Sequence, residues 1–201
     1  MLPSWLIFVA AAIRLSSGGR YIFDIFKGKA RPNPISWFCW GLAPLIAAVA
    51  QIMSGVGSVA VVTLALGIGP MTVFIVSLFK SRDRTHFTTS NIACGILALV
   101  GIVLWYISTN PLMAISFSIF ADFAGAIPTV RKCYSDPSSE PFVPYMLSII
   151  AMALTFLTIK HWTYANFAYP VYITMINTII LSSRQLGISR KLAVKPAIIK
   201  T

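Results

Sequence analysis

Pro111-Leu-Met-Ala-Ile-Ser-Phe-Ser-Ile-Phe-Ala-Asp122-Phe-Ala-Gly125-Ala-Ile-Pro128-Thr129-Val130 runs for 20 residues with a single charge, and Arg131-Lys132 follow at once. A helix needs about 20 mostly apolar residues to cross the hydrocarbon core of a bilayer. Basic residues collect on the cytoplasmic side of such a span. The stretch therefore reads as one membrane crossing that ends at the cytoplasmic face and carries a carboxylate in its middle. The composition of the chain agrees. Apolar residues make up 57 % and charged residues 10 % of 201, against roughly 45–50 % and 25 % in soluble domains. That balance excludes an ordinary water-soluble enzyme, a disordered chain and a disulfide scaffold.

Working outward from this span, six further apolar runs appear. They cover Ser4 to Phe26, Ile35 to Met53, Ser58 to Phe79, Asn91 to Ile107, Phe142 to Ile159 and Tyr164 to Ser182. The first is interrupted by Arg14 and by Ser16-Ser17-Gly18-Gly19. The runs are continuous rather than alternating, so helices and not barrel strands are expected. The N-terminus has no basic stretch ahead of its apolar run, and a cleaved signal peptide is not expected.

The net charge of +11 comes from 16 Lys and Arg against five Asp and Glu. A nucleic-acid binder would need those cations on one water-exposed patch. Here they sit between apolar runs. Arg20, Lys27, Lys29 and Arg31 follow the first span. Lys80, Arg82 and Arg84 follow the third, and Arg131 and Lys132 the fifth. Arg184, Arg190, Lys191, Lys195 and Lys200 follow the seventh. All fall on one side of a seven-span chain, with only Lys160 on the other. The rule that positive loops stay inside then puts the N-terminus outside and the C-terminus in the cytoplasm of an inner (cell) membrane. The expected partners are the lipid bilayer, with the basic tail on anionic lipid, and a small polar solute, with no nucleic acid. A homo-oligomer is compatible with this plan.

Loop lengths add an internal repeat. The connections after the first and fifth spans are long and basic, and those after the second and sixth are short. The fold expected is all-α integral membrane: seven transmembrane helices in a 3+1+3 arrangement of two parallel triple-helix bundles. Residues 1–80 form the first bundle, 81–110 the linker helix, 111–183 the second bundle and 184–201 a basic tail. A gapless shift of 108 residues lays Pro3 on Pro111, Phe26 on Tyr134, Trp37 on Tyr145 and Arg14 on Asp122.

Charges inside a span are the strongest functional signal. One such charge costs about 2.5–3.5 kcal/mol on insertion scales, so it should face a cavity or a partner. Arg14 and Asp122, at matching depth under the repeat, are expected to form a buried pair or to line one wet pathway. The alternative is a staple that never meets solute. Trp37 and Trp40 lie three apart on one helical face, with Tyr145 and Ser148 as their shifted counterparts. They read either as an interfacial aromatic belt or as a stacking surface for solute. Asn177 lies inside the seventh span, where an amide needs partners; Tyr169, Tyr172 and Thr174 are lesser candidates. Pro128 removes a helical N–H, and Gly125 admits close packing three residues earlier.

Two motifs carry a family resemblance. Gly125-Ala-Ile-Pro128-Thr129-Val-Arg131-Lys132-Cys-Tyr134-Ser-Asp136-Pro137-Ser138-Ser139-Glu140 resembles the PQ-loop motif of the SWEET and PQ-loop transporter superfamily. Thr129 stands where that family usually has Gln. Tyr21-Ile-Phe-Asp24-Ile-Phe-Lys27-Gly28-Lys29-Ala-Arg31-Pro32, followed by Ser36-Trp37-Phe-Cys-Trp40, is similar to the matching element of the first half, with Arg20 at the proline position. The resemblance implies a transporter or facilitator working by alternating access on a sugar, amino acid or similar polar metabolite. It implies that bending at Gly125, Pro128 and Thr129 gates the cytosolic end, against the plain reading of a static kink. It also makes Asn177 a solute ligand, without the usual asparagine partner, since Thr72 or Val73 occupies the corresponding place.

No catalytic residues are expected. The chain lacks paired carboxylates and a Ser/His set. Cys39, Cys94 and Cys133 lie far apart, and His86 and His161 are isolated, so no metal site or cofactor is implied. The second reading of the same fold is a receptor or accessory membrane protein that does not transport.

Overall fold

The structure is a computed structural model that describes residues 3, 5–80, 89–107 and 110–194. The expectations placed on Ser4, Arg82, Arg84, His86, Lys195 and Lys200, and on the Cys94 side chain, lie outside the described residues. The chain is all-helical there. In order come α1 (Leu6–Phe26), α2 (Pro34–Met53), α3 (Val59–Lys80), α4 (Thr89–Ile107), α5 (Pro111–Ser135), a 3-10 turn (Pro137–Ser139), α6 (Phe142–Thr158) and α7 (Tyr164–Val194).

Local chemistry explains where the helices begin and end. Both α2 and α5 start at an Asn-Pro pair. The Asn33 side chain accepts from the N–H groups of Ile35 and Ser36, and that of Asn110 from Leu112. Proline then takes the first helical position, where its missing N–H costs nothing. The ends of α1 and α2 are Schellman turns. Gly28 and Gly55 adopt φ of 67° and 73°, and the next residue's N–H reaches back to the carbonyls of Asp24 and Gln51. Only glycine takes that left-handed conformation without penalty.

Four described helices, α1, α2, α3 and α5, are long and apolar enough to cross a membrane; α6 is apolar but has 17 residues. Burial follows a pattern opposite to that of a water-soluble protein. Phe8, Met53, Phe79 and Leu157 point outward, while Arg14, Asp24, Gln51, Asp122 and Glu140 are buried. An apolar exterior of this breadth requires an apolar surrounding or partner.

Helix packing has a simple order. Helix α1 packs on α3 and α6, α2 on α3 and α5, and α7 on α5 and α6. Exchange α1 with α5, α2 with α6 and α3 with α7, and this set of packed pairs maps onto itself. Helix α4 stands outside, mainly against α5.

Two helices outrun their expected ends. Helix α5 continues past Val130 to Ser135, and α7 continues past Ser182 to Val194, so the start of the basic tail is helical. The reason lies in tertiary contacts. Arg184 Nε donates to the Glu140 carbonyl, Arg190 lies over the Tyr134 ring, and Lys191 approaches Asp136. These partners hold the polar last turns of α7 against the end of α5.

Candidate functional site

A cavity of about 40 Å³ lies among α1, α2, α3, α5, α6 and α7. That is space for about three water molecules, at roughly 10–15 Å³ each. Its walls include Arg14, Trp37, Trp40, Asp122, Tyr145, Ser148 and Asn177, together with Ser17, Pro44, Leu66, Pro144 and three isoleucines of α7. Seven side chains singled out for a solute pathway, drawn from α1, α2, α5, α6 and α7, thus meet in one place. Helix α3 contributes Leu66.

The expected Arg14–Asp122 pair does not form: Arg14 and Asp122 are not joined by a direct ion pair. Arg14 Nη1 donates to Ser17 Oγ at 3.3 Å, and Ser17 in turn donates to the Pro144 carbonyl at 2.8 Å. Asp122 Oδ2 accepts from the Tyr172 hydroxyl at 2.5 Å. The reason is lateral: equal depth along two helices does not bring two side chains together, and nearer polar neighbours took each one first. Both still line the same cavity. Arg14 Nε and Asp122 Oδ1 are buried with no hydrogen-bond partner in the protein. So are Trp37 Nε1, Trp40 Nε1 and Ser148 Oγ.

The tryptophans are not an interfacial belt. Trp37 and Trp40 are 4 % and 8 % exposed. They meet edge to face at 5.3 Å, with Tyr21 at 4.3 Å from Trp37 and Tyr145 at 6.5 Å from Trp40. Large aromatic bodies in such a chain wall the cavity and bring indole N–H donors to it. Asn177 spends its Nδ2 on the Ile173 carbonyl of its own helix at 2.7 Å. Aligning α3 and α7 on Pro70 and Pro170 puts Ser77, rather than Thr72 or Val73, at the place of Asn177. Ser77 likewise bonds back to its own helix, at the Phe74 carbonyl.

Gly125, Pro128 and Thr129 do not line the cavity. Gly125 and Thr129 mark the crossing of α5 over α2. Thr129 Oγ1 donates to Ser36 Oγ at 2.9 Å. A Cβ on Gly125 would overlap the Cys39 side chain and stand 3.0 Å from its Sγ, so glycine is what lets these helices touch.

Just beyond the cavity, at the basic end, lies a hub centred on Glu140, a position the sequence reading quoted only within its motif. Its side chain is fully enclosed. It accepts from Tyr21 at 2.7 Å, Tyr145 at 2.8 Å and Lys132 at 3.2 Å. Tyr21 belongs to α1 and the others to α5 and α6, so the hub ties α1 to α5 and α6. Arg31 strengthens the tie. Its N–H bonds the Ser139 carbonyl, its side chain pairs with Asp136, and its carbonyl accepts from Lys132. Burial alone would raise the Asp136 carboxyl. The Ser138 hydroxyl and the charges of Arg31, Lys191 and Lys132 outweigh it and hold the group below its ordinary 3.8. The signal available in the sequence was an acid inside a basic loop, between Ser139 and Pro141.

At the opposite end Gln51 Nε2 donates to the Ala165 carbonyl at 2.9 Å, closing α2 against α7. Among the described residues no cluster of His, Cys, Asp and Glu is placed to hold a metal ion. Comparison of the chain with family models, curated proteins and solved structures gives no match.

Proposed function

We propose that the chain is a membrane transporter or facilitator for a small polar solute, working by alternating access. In this reading α1 to α7 all cross the membrane in the 3+1+3 plan, α4 being the linker helix, with the N-terminus outside and the basic end in the cytoplasm. Two features support the plan. The packed helix pairs are unchanged by the exchange of one trio for the other. Arg31, Lys132 and Lys191 gather at one end, around Glu140 and Asp136, with Lys160 at the other.

One observation carries the function: the polar side chains that a lipid-facing helix cannot tolerate converge from both trios on a single cavity. Burying an Arg and an Asp that do not pair is costly, and a route for a polar solute gives those groups a use. Glu140 with Tyr21, Tyr145 and Lys132 then forms the inner gate. Rocking one trio against the other breaks the Tyr21 and Arg31 links first, because these cross between the trios. The Gly125–Thr129 crossing is the pivot, where tight contact with Cys39 and Ser36 leaves α5 free to turn but not to slide.

Uptake by sealed proteoliposomes tests this reading, with solutes chosen first by thermal stabilisation of the purified protein. Saturable uptake that Glu140→Ala alters supports it. Binding without uptake supports the second reading, a receptor on the same fold.

A further inference from the structure

The unpartnered atoms around the cavity differ in kind, and the difference specifies a ligand. Arg14 Nε, Trp37 Nε1 and Trp40 Nε1 can only donate; Asp122 Oδ1, on a carboxylate, can only accept; Ser148 Oγ can do either. All are buried without a partner in the protein, and all belong to residues lining one cavity. Buried polar groups are nearly always hydrogen-bonded, so the cavity suits a solute that brings both several acceptors and a donor. The charges repeat the message, since the guanidinium and the carboxylate face the same space without touching. A neutral solute would give neither group an ionic contact. A simple anion or cation would give one to only one of them.

We propose that the cavity binds a small zwitterion, one carboxylate and one ammonium group on a short carbon chain. The carboxylate lies toward Arg14 and the two indole N–H groups, and the ammonium toward Asp122, whose other oxygen Tyr172 holds. The present cavity, near 40 Å³, favours the smallest members of that class over a hexose and has to widen to admit them. This assignment rests on the reading of the cavity as a solute site, and it narrows that reading to a single charge pattern.

The test uses the full chain in lipid nanodiscs and follows its unfolding temperature with five probes: glycine, β-alanine, acetate, methylammonium and glucose. Glycine or β-alanine raises the temperature saturably, while acetate and methylammonium, singly or mixed, and glucose do not. Arg14→Gln and Asp122→Asn each weaken the zwitterion at least tenfold. Trp40→Phe, which keeps a ring and removes the N–H, weakens it severalfold. Stabilisation by glucose alone, by acetate as strongly as by glycine, or by no probe at all overturns the assignment, and so does unchanged affinity in both charge variants. The probe series on the unmodified chain decides even where a variant fails to fold. Glycine binding without uptake would leave the ligand class standing and refute transport; uptake of glucose alone would do the reverse.

Discussion

Replacing Glu140 by alanine removes the one acceptor that three donors share. The side chain is fully enclosed, and Lys132 is 15 % exposed. Each hydrogen bond to a charged group contributes about 1.5–3 kcal/mol net, but the three do not add. Lys132 regains some water when its partner goes, and the rings of Tyr21 and Tyr145 stay packed. Breaking a buried ion pair from one side costs about 3–5 kcal/mol, and the partial exposure of Lys132 puts this case at the low end, near ~3 kcal/mol. At about 2–4 °C per kcal/mol for a chain of this length, the unfolding temperature falls by about 6–12 °C. Tryptophan fluorescence reads the change directly, because Trp37 lies 4.3 Å from Tyr21. Glu140→Gln, which keeps an acceptor of the same shape, should lose about half as much. If Glu140→Ala unfolds within about 2 °C of the unmodified chain, the hub does not hold α1 against α5 and α6 and the gate assigned to it falls.

Three further outcomes follow from the geometry. Tyr172→Phe removes the donor to Asp122 Oδ2 while the Tyr169 hydroxyl stays beside the carboxylate, and should lower stability by about 1.5–3 kcal/mol, read by thermal unfolding; no change would mean that the Tyr172–Asp122 bond is not formed. Gly125→Ala forces a Cβ into Cys39 and should cost about 1–3 kcal/mol, recovered at least in part by Cys39→Gly in the same chain; a missing recovery would separate the two residues. Asp136 has a lowered pKa, so its contribution is complete above pH 3.8 and disappears as the pH falls through the folded-state value. Asp136→Asn should therefore unfold a few degrees lower at pH 6, with that gap closing below pH 3.8; a gap that widens in acid would reverse the sign of the argument.

The helices were legible because their causes are local. Apolar runs fixed their bodies, and Asn33-Pro34 and Asn110-Pro111 fixed two of their starts. The last turns of α7 were not legible. Their sequence is mixed and polar, and what keeps them helical is contact with Tyr134, Asp136 and Glu140, far away along the chain. Arg14 and Asp122 stood out because the cost of a charge in a span is written in composition alone. Their partners did not, because a shift of 108 residues aligns depth and says nothing of rotation about the helix axis. That rotation sent Asp122 to Tyr172 and Arg14 to Ser17. Trp37 and Trp40 posed the same ambiguity. Two aromatics at the start of a span can face headgroups or the bundle, and only packing against Tyr21 and Tyr145 decides. Glu140 was hidden by its setting, since an acid beside proline in a basic loop looks solvated until the loop folds over it.

The account turns on a cavity that opens to each side of the membrane in turn. Ser148, whose hydroxyl faces that cavity without a partner, is the place to ask. In a variant carrying Ser148→Cys, with Cys39, Cys94 and Cys133 replaced by alanine, a membrane-impermeant thiol reagent is applied to sealed vesicles of each orientation. Labelling from both faces, slowed by a bound solute, is the predicted result. Labelling from one face only, or from neither, would contradict alternating access through this site.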